Sequence, residues 1–421
     1  MMAVVFTATS QVPVPVADQE NPILLTGATA HLGDGTVIEN AAIGFDKGKL
    51  TIVSSNDNVD ASGYEVIDVA GKHIYPGFIL PGAPVGLQEV GAVRAMNDHN
   101  ERGQFNPNVR SVISYNTDSE YIPTLRFNGV LLAESTPQGG TIAGTSSLME
   151  LEGWNWEDAV HSMDIGIHLN WPGRLKWERD PDTGWEQKPD KDYEKNVTEL
   201  KGHFKEASAY ATLNSGAKNL KLEAMKGLFD GSKRLFIHSN DAKSIIESIR
   251  MAQKVGVQKI VLFSGSEALY VAGFLKENGI GVIVENTHRF PDMNHYGVFN
   301  PFELPGKLSD QGVKIGLYIG GVMGGRNLPF AAGTAVAHGL DYEKAIQMIT
   351  INNAELLGVD ERVGSLKIGK DATLFVSEGD ALDMRTNILS HAFISGKQVT
   401  LDNKQQELYK RYSEKYGHTI D

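Results

Sequence analysis

The sequence predicts an α/β protein: a (β/α)8, TIM-like barrel with a small composite β-sandwich domain formed from its N- and C-terminal segments. Three observations predict this. Short alternating strands broken by Gly and Asp/Asn turns run from Ile23 to Val69, in LLTGATAHLGDG, AAIGFDKGKL, TIVSSND and YEVIDVAGK. Strands of the same character return at the far end, in VGSLKIGKDATLFV from Val363 and in Ile394-Ser-Gly-Lys-Gln-Val399. Between these halves lie strand candidates near 76–80, 129–134, 147–151, 164–169, 234–238, 258–262, 280–284 and 313–319, many separated by helical stretches, and a barrel needs eight.

In chain order, residues 1–21 read as a signal-peptide remnant and leader, and 22–74 with 362–400 as the composite sandwich. Residues 75–361 read as the barrel, and 401–421 as a C-terminal helix whose DNKQQELYKRYSEKY is amphipathic and exposed. The opening Met1-Met-Ala-Val-Val-Phe-Thr-Ala-Thr-Ser10 is short, apolar and ends in small residues, like the tail of a secretory signal. Export to the periplasm follows from that reading, and a frayed N-terminus of a cytoplasmic protein is the alternative. Gly-Val-Gln-Lys-Ile-Val-Leu-Phe263 and Gly-Ile-Gly-Val-Ile-Val284, each preceded by a helical stretch, carry the plainest βα pattern.

Composition narrows the partners. The net charge of -13 argues against nucleic acid or an anionic membrane surface, both held mainly by Lys and Arg. No apolar run approaches the roughly 18 residues that span a bilayer. The absence of cysteine excludes disulfides, thiolate nucleophiles and Cys-ligated zinc. A small-molecule substrate or ligand is expected, together with a homo-oligomer or a hetero-oligomer with a paralogue.

Two stretches carry a family resemblance. At the front stand LLTGATAHLGDGTVIENAAIGFDKGKL and Tyr75-Pro-Gly-Phe-Ile79. At the back stands Gly339-Leu-Asp-Tyr-Glu-Lys-Ala-Ile-Gln-Met-Ile-Thr-Ile-Asn-Asn-Ala-Glu-Leu-Leu-Gly-Val359, followed by the return from Val363 to Val376. In order and spacing these resemble the amidohydrolase superfamily, particularly its imidazolonepropionase-like branch. The resemblance implies a hydrolase of carbon–nitrogen bonds other than peptide bonds, in amides or cyclic amides, with zinc or another divalent metal activating water. It places ligands in a His pair on strand one, a Lys or Glu on strand four, single His residues on strands five and six, and an Asp on strand eight.

This chain departs from that set. The strand-one positions read Leu80, Gly82 and Pro84, none able to ligate, and His238 alone keeps a family position, on strand five. Ser264 stands for the strand-six histidine, and Gly320 to Gly325 replace the strand-eight Asp. Lys221 and Glu223, near the strand-four position, read as helix. A degenerate metal site follows, and with it a second reading: a non-catalytic member that binds a small ligand or acts as the partner subunit of an active paralogue.

Other candidates gather where barrel strands end. His238 and His288, with Glu285, form a possible metal or acid–base group near neutral pH, or are relics that orient loops. Glu89 either reaches the mouth or opens a helix. Arg289 and Arg326 are candidate binding residues beside Ser264. The glycine-rich stretches 139–147 and 320–325 lack the P-loop Lys, and read as tight turns whose backbone N–H groups can cradle an oxyanion. All five tryptophans fall between 154 and 185, as a stacking platform or a subunit contact.

Overall fold

The computed structural model describes residues 14–182, 184–212, 217–291 and 297–418. The apolar opening of the chain therefore lies outside the described residues. The N-terminal strands are β1 (Ile23–His31), β2 (Val37–Asp46), β3 (Lys49–Ser55), β4 (Glu65–Asp68) and β5 (His73–Pro76). The barrel strands are β6 (Phe78–Ala83), β7 (Val130–Ser135), β8 (Ile142–Glu150) and β9 (Val160–Asn170). They continue, after the hairpin β10 (Leu175–Asp180) and β11 (Gly184–Pro189), with β12 (Arg234–His238), β13 (Ile260–Ser264), β14 (Gly281–Glu285) and β15 (Ile315–Tyr318). The returning strands are β16 (Leu374–Ser377), β17 (Leu389–Ile394) and β18 (Lys397–Gln398).

The two ends of the chain meet in one sheet of order β18-β17-β16-β5-β1-β2-β3, with β4 paired to β1. The joint is β16 running antiparallel to β5, where Leu374 faces Pro76 and Val376 faces Ile74. Near Gly27 (φ +89°) β1 bulges: its first half pairs with β4 and its second half with β5. Phe45 of β2 and Phe393 of β17 have ring centroids 4.9 Å apart although three strands separate them in the sheet order. Neighbouring strands are about 4.8 Å apart, so a flat sheet would hold these rings far from each other. The sheet instead curls over its own core, which includes Leu25, Ile43, Leu374 and Phe393.

The barrel follows the order β6-β7-β8-β9-β12-β13-β14-β15. All eight predicted strand regions are occupied, but β8 runs antiparallel to both β7 and β9. The turn between β7 and β8 holds no crossover helix, so the chain reverses instead of returning parallel. The glycine-rich stretch 139–147 is thus largely strand. Alternate residues face the axis, Ile79, Leu132, Phe236, Val261, Phe263 and Ile283 among them, while Leu131, Leu235, Leu262 and Val282 face the helices.

The edge strands β6 and β15 are joined by one side chain. Buried Asn353, on helix Ile351–Leu357, donates through Nδ2 to the carbonyls of Ile79 (2.8 Å) and Leu317 (3.1 Å) and accepts the Leu317 N–H at Oδ1 (3.2 Å). It supplies backbone partners that a ladder would otherwise provide. The curled sheet is clamped to the barrel through Asp371. His161 of β9 meets Asp371 Oδ2 at 3.0 Å, Arg362 reaches it at 2.9 Å, and Lys49 pairs with Oδ1. Among the described residues, no helix is long and apolar enough to cross a membrane.

Candidate active site

Four strands send polar side chains to the barrel axis, and these make one network. Counted from β6, the second strand contributes Glu134, the third Ser146, the fourth His168 and the fifth His238. The Glu134 carboxylate accepts the Gly82 N–H at Oε2 (2.8 Å), the Ser146 hydroxyl at Oε1 (2.6 Å) and His168 Nε2 at 3.0 Å. Three donors facing a buried carboxyl group form the pattern an ionised carboxylate requires. His168 Nδ1 lies 2.9 Å from His238 Nε2.

This order assigns the tautomers. With Glu134 as acceptor, His168 carries its proton on Nε2 and offers a lone pair at Nδ1. His238 then donates from Nε2, which leaves Nδ1 as an acceptor. Among the described residues Nδ1 has no protein partner, and it is not one of the buried unpaired atoms. Burial first, then the neighbouring His168, hold His238 well below the usual histidine range, so it is a neutral base at pH 7.

Aromatic rings fix these imidazoles. Phe236 stacks on His168 at 4.7 Å, and Phe263 on His238 at 4.6 Å. A side chain at position 166 would collide with Phe236, a Cβ there lying 2.3 Å from Cε2, so Gly166 is what lets the ring lie flat beneath His168. Gly82 (φ +67°) plays the same part on strand one: a Cβ would lie 2.6 Å from Cε1 of Phe263. Leu80 likewise fills the space beside Gly325, where a Cβ would meet its Cδ2 at 2.3 Å.

Above His238 opens a pocket of about 900 Å³ lined by Asn170, Trp171, Arg174, Trp177, Phe263 and Tyr318, among others. The hairpin β10–β11 forms one wall. Its base is tied down by the Trp171 N–H, which donates to the His238 carbonyl at 3.0 Å. Of the five tryptophans, buried Trp171 and exposed Trp177 line the pocket, while Trp154 and Trp185, also exposed, do not.

The other sequence candidates lie elsewhere. His288 bonds Thr334 Oγ1 at 2.6 Å, is held low by burial, and does not line the pocket. Glu285 ends β14 and pairs with Arg289 at 3.6 Å. Glu89 opens no helix; it sits half-buried in the loop after β6, where burial raises its pKa and Asn116 donates to it at 3.3 Å. Arg326 occupies the turn Gly324–Asn327, where its carbonyl accepts from Asn128 at 2.8 Å. Ser264 faces the helices with a buried, unpartnered Oγ, and its neighbour Phe263 faces the axis instead. Of the predicted site residues, only His238 lies in the network.

Glu134, Ser146 and His168 escaped the sequence reading. The available signal was a charged or imidazole side chain within buried strands, in Val130-Leu-Leu-Ala-Glu134 and Gly166-Ile-His168. His168 is on the fourth barrel strand, whereas Lys221 and Glu223 are on helix Leu220–Met225.

The family profile described as the amidohydrolase family matches residues 192–402, half of the chain. The chain belongs to the amidohydrolase family. This amidohydrolase shares its fold with a crystal structure of an amidohydrolase from Thermotoga maritima MSB8 at TM-score 0.77 and 22% identity, over 90% of this chain and 99% of that one. An adenosine deaminase from Xanthomonas campestris with bound zinc aligns at TM-score 0.55 and 12% identity, covering 95% and 99%. Molinate hydrolase aligns at TM-score 0.55 and 15% identity, covering 91% and 95%. No curated protein matches the sequence.

The donor set does not suit the divalent metal that the family implies. Among the described residues, no three His, Asp or Glu side chains are grouped to hold a metal ion. A zinc site takes at least three protein ligands around one point. Here both His168 nitrogens are engaged, and the groups form a line rather than a cage.

Proposed function

We propose that this amidohydrolase hydrolyses a carbon–nitrogen bond of a small amide or cyclic amide at the barrel mouth, with His238 as a general base in place of a metal. The observation that carries the reading is the relay Glu134–His168–His238, whose free Nδ1 belongs to the pocket-lining residue. A water beside Nδ1 gives its proton to that nitrogen as its oxygen attacks the carbonyl carbon. His238 then returns the proton to the leaving nitrogen as the C–N bond breaks, giving an acid and an amine. Glu134 and His168 keep Nε2–H donating inward and offset the transient imidazolium charge, the role of the third member in a triad.

One positioned base supplies about 10²- to 10⁴-fold, less than a metal-activated water. The reading therefore favours strained or otherwise activated substrates over ordinary amides.

A second reading is supported by Phe263 against Gly82, an aromatic ring packed where the family resemblance places a strand-one histidine. In it, the pocket binds a small molecule without turning it over, alone or as a partner subunit. A panel of cyclic and activated amides separates the two. Turnover lost by about 10²- to 10⁴-fold in His238→Ala supports the hydrolase, whereas saturable binding without turnover supports the binding protein.

A further inference from the structure

Helices Tyr193–Thr212 and Ala242–Lys254 flank a second cavity, of about 570 Å³, on the outer side of the barrel. Its rim is cationic: Arg174, Lys201, Lys205, Lys243, Arg250 and Lys254 surround a single carboxylate, Glu247. Its floor is apolar, made by Ile246, Met251 and Val255. In a chain of net charge -13 such a concentration of positive charge is unexpected.

Glu247 is already occupied. It pairs with Arg174 (2.6 Å) and Lys201 (2.8 Å) and accepts the Tyr193 hydroxyl at 2.7 Å. Lys205, Lys243 and Lys254 have no ion pair among the described residues. Arg250 and Lys254 are like-charged i,i+4 neighbours, an arrangement that destabilises a helix unless an anion relieves it, whereas Lys201, four residues before Lys205, is already paired with Glu247. A concave site of this volume with an apolar floor and a few convergent charges has the character of a small-molecule site.

We propose that this groove binds an anionic amphiphile: a carboxylate or phosphate head held by Lys205, Lys243, Arg250 and Lys254, with an apolar body on Ile246, Met251 and Val255. Arg174 also lines the pocket above His238, so it forms the wall between the two cavities. The proposal does not depend on hydrolysis at His238.

The test is calorimetric titration of the intact protein with decanoate, decyl phosphate, inorganic phosphate and decyltrimethylammonium. Saturable binding of both decyl anions, with inorganic phosphate at least about tenfold weaker and the cation silent, is the expected result, because head and body each contribute. Lys243→Glu combined with Lys205→Glu should weaken decyl phosphate by about tenfold or more, while Lys367→Glu on another surface and His238→Ala leave it unchanged. Equal binding by the groove variant, or equal binding of cation and anions, overturns the proposal. Co-sedimentation with phosphatidylglycerol vesicles, with no titration by the soluble anions, would overturn it in favour of a lipid surface. Loss of turnover in His238→Ala with anion binding intact separates the fate of this site from that of the relay.

Discussion

Glu134 receives donors from Gly82, Ser146 and His168 in a place closed to water, and this sets the direction of every proton in the relay. Glu134→Gln keeps the shape but removes the charge that holds His168 in its Nε2–H form. We expect kcat to fall by about 10²-fold or more with KM little changed, as read from initial rates on an activated amide, because the loss is confined to the transition state. His238 supplies a pH prediction. Its pKa is depressed by burial and by His168, so the unprotonated base persists below the usual histidine value of about 6.5. The acid limb of kcat/KM should then fall below that value, and a limb centred above it would speak against His238 as the base. Gly82→Ala tests the packing: its Cβ meets the Phe263 ring at a positive φ, and a loss of roughly 1–3 kcal/mol in urea unfolding is expected.

At the scale of elements, two contacts hold the architecture together. Asn353 satisfies backbone groups of β6 and β15 across the barrel seam. Asn353→Ala would leave these buried groups unpaired, and we expect a loss of roughly 3 kcal/mol or more, measured as a lowered urea midpoint. Asp371 clamps the curled sheet to β9. Burial alone would raise its pKa, but hydrogen bonds from His161 and Lys49 and the charge of Arg362 outweigh it and hold the carboxyl down to about 2. A depressed carboxylate stabilises the fold above its unfolded value of about 3.8, and that stability is lost as pH falls from there through about 2. Asp371→Asn should therefore cost up to about 2 kcal/mol at neutral pH and flatten the acid limb of stability between those values. Strands and their places were legible in the sequence because alternation and turn residues are local signals. Strand direction and facing were not. The reversal of β8 depends on what connects it, and a shift of one residue exchanges Ser264 for Phe263 on the axis.

Over the whole molecule, the curled sheet joining both termini and the barrel between them were readable, because the two halves carry the same strand pattern and the family resemblance spans them. Most of the site was not. Glu134, Ser146, His168 and His238 come from four strands spread over more than a hundred residues, and only closure of the barrel brings them together. The proposed hydrolysis rests on a carboxylate–imidazole–imidazole relay standing where the family resemblance places a metal cage. The most direct test is elemental metal analysis of untagged protein purified without chelator, paired with amide turnover before and after chelation, for the native chain and His238→Ala. Metal far below one ion per chain, turnover unchanged by chelator, and loss of turnover in His238→Ala are the expected results. About one zinc, iron or manganese per chain, released by the substitution or by chelator together with activity, would contradict it.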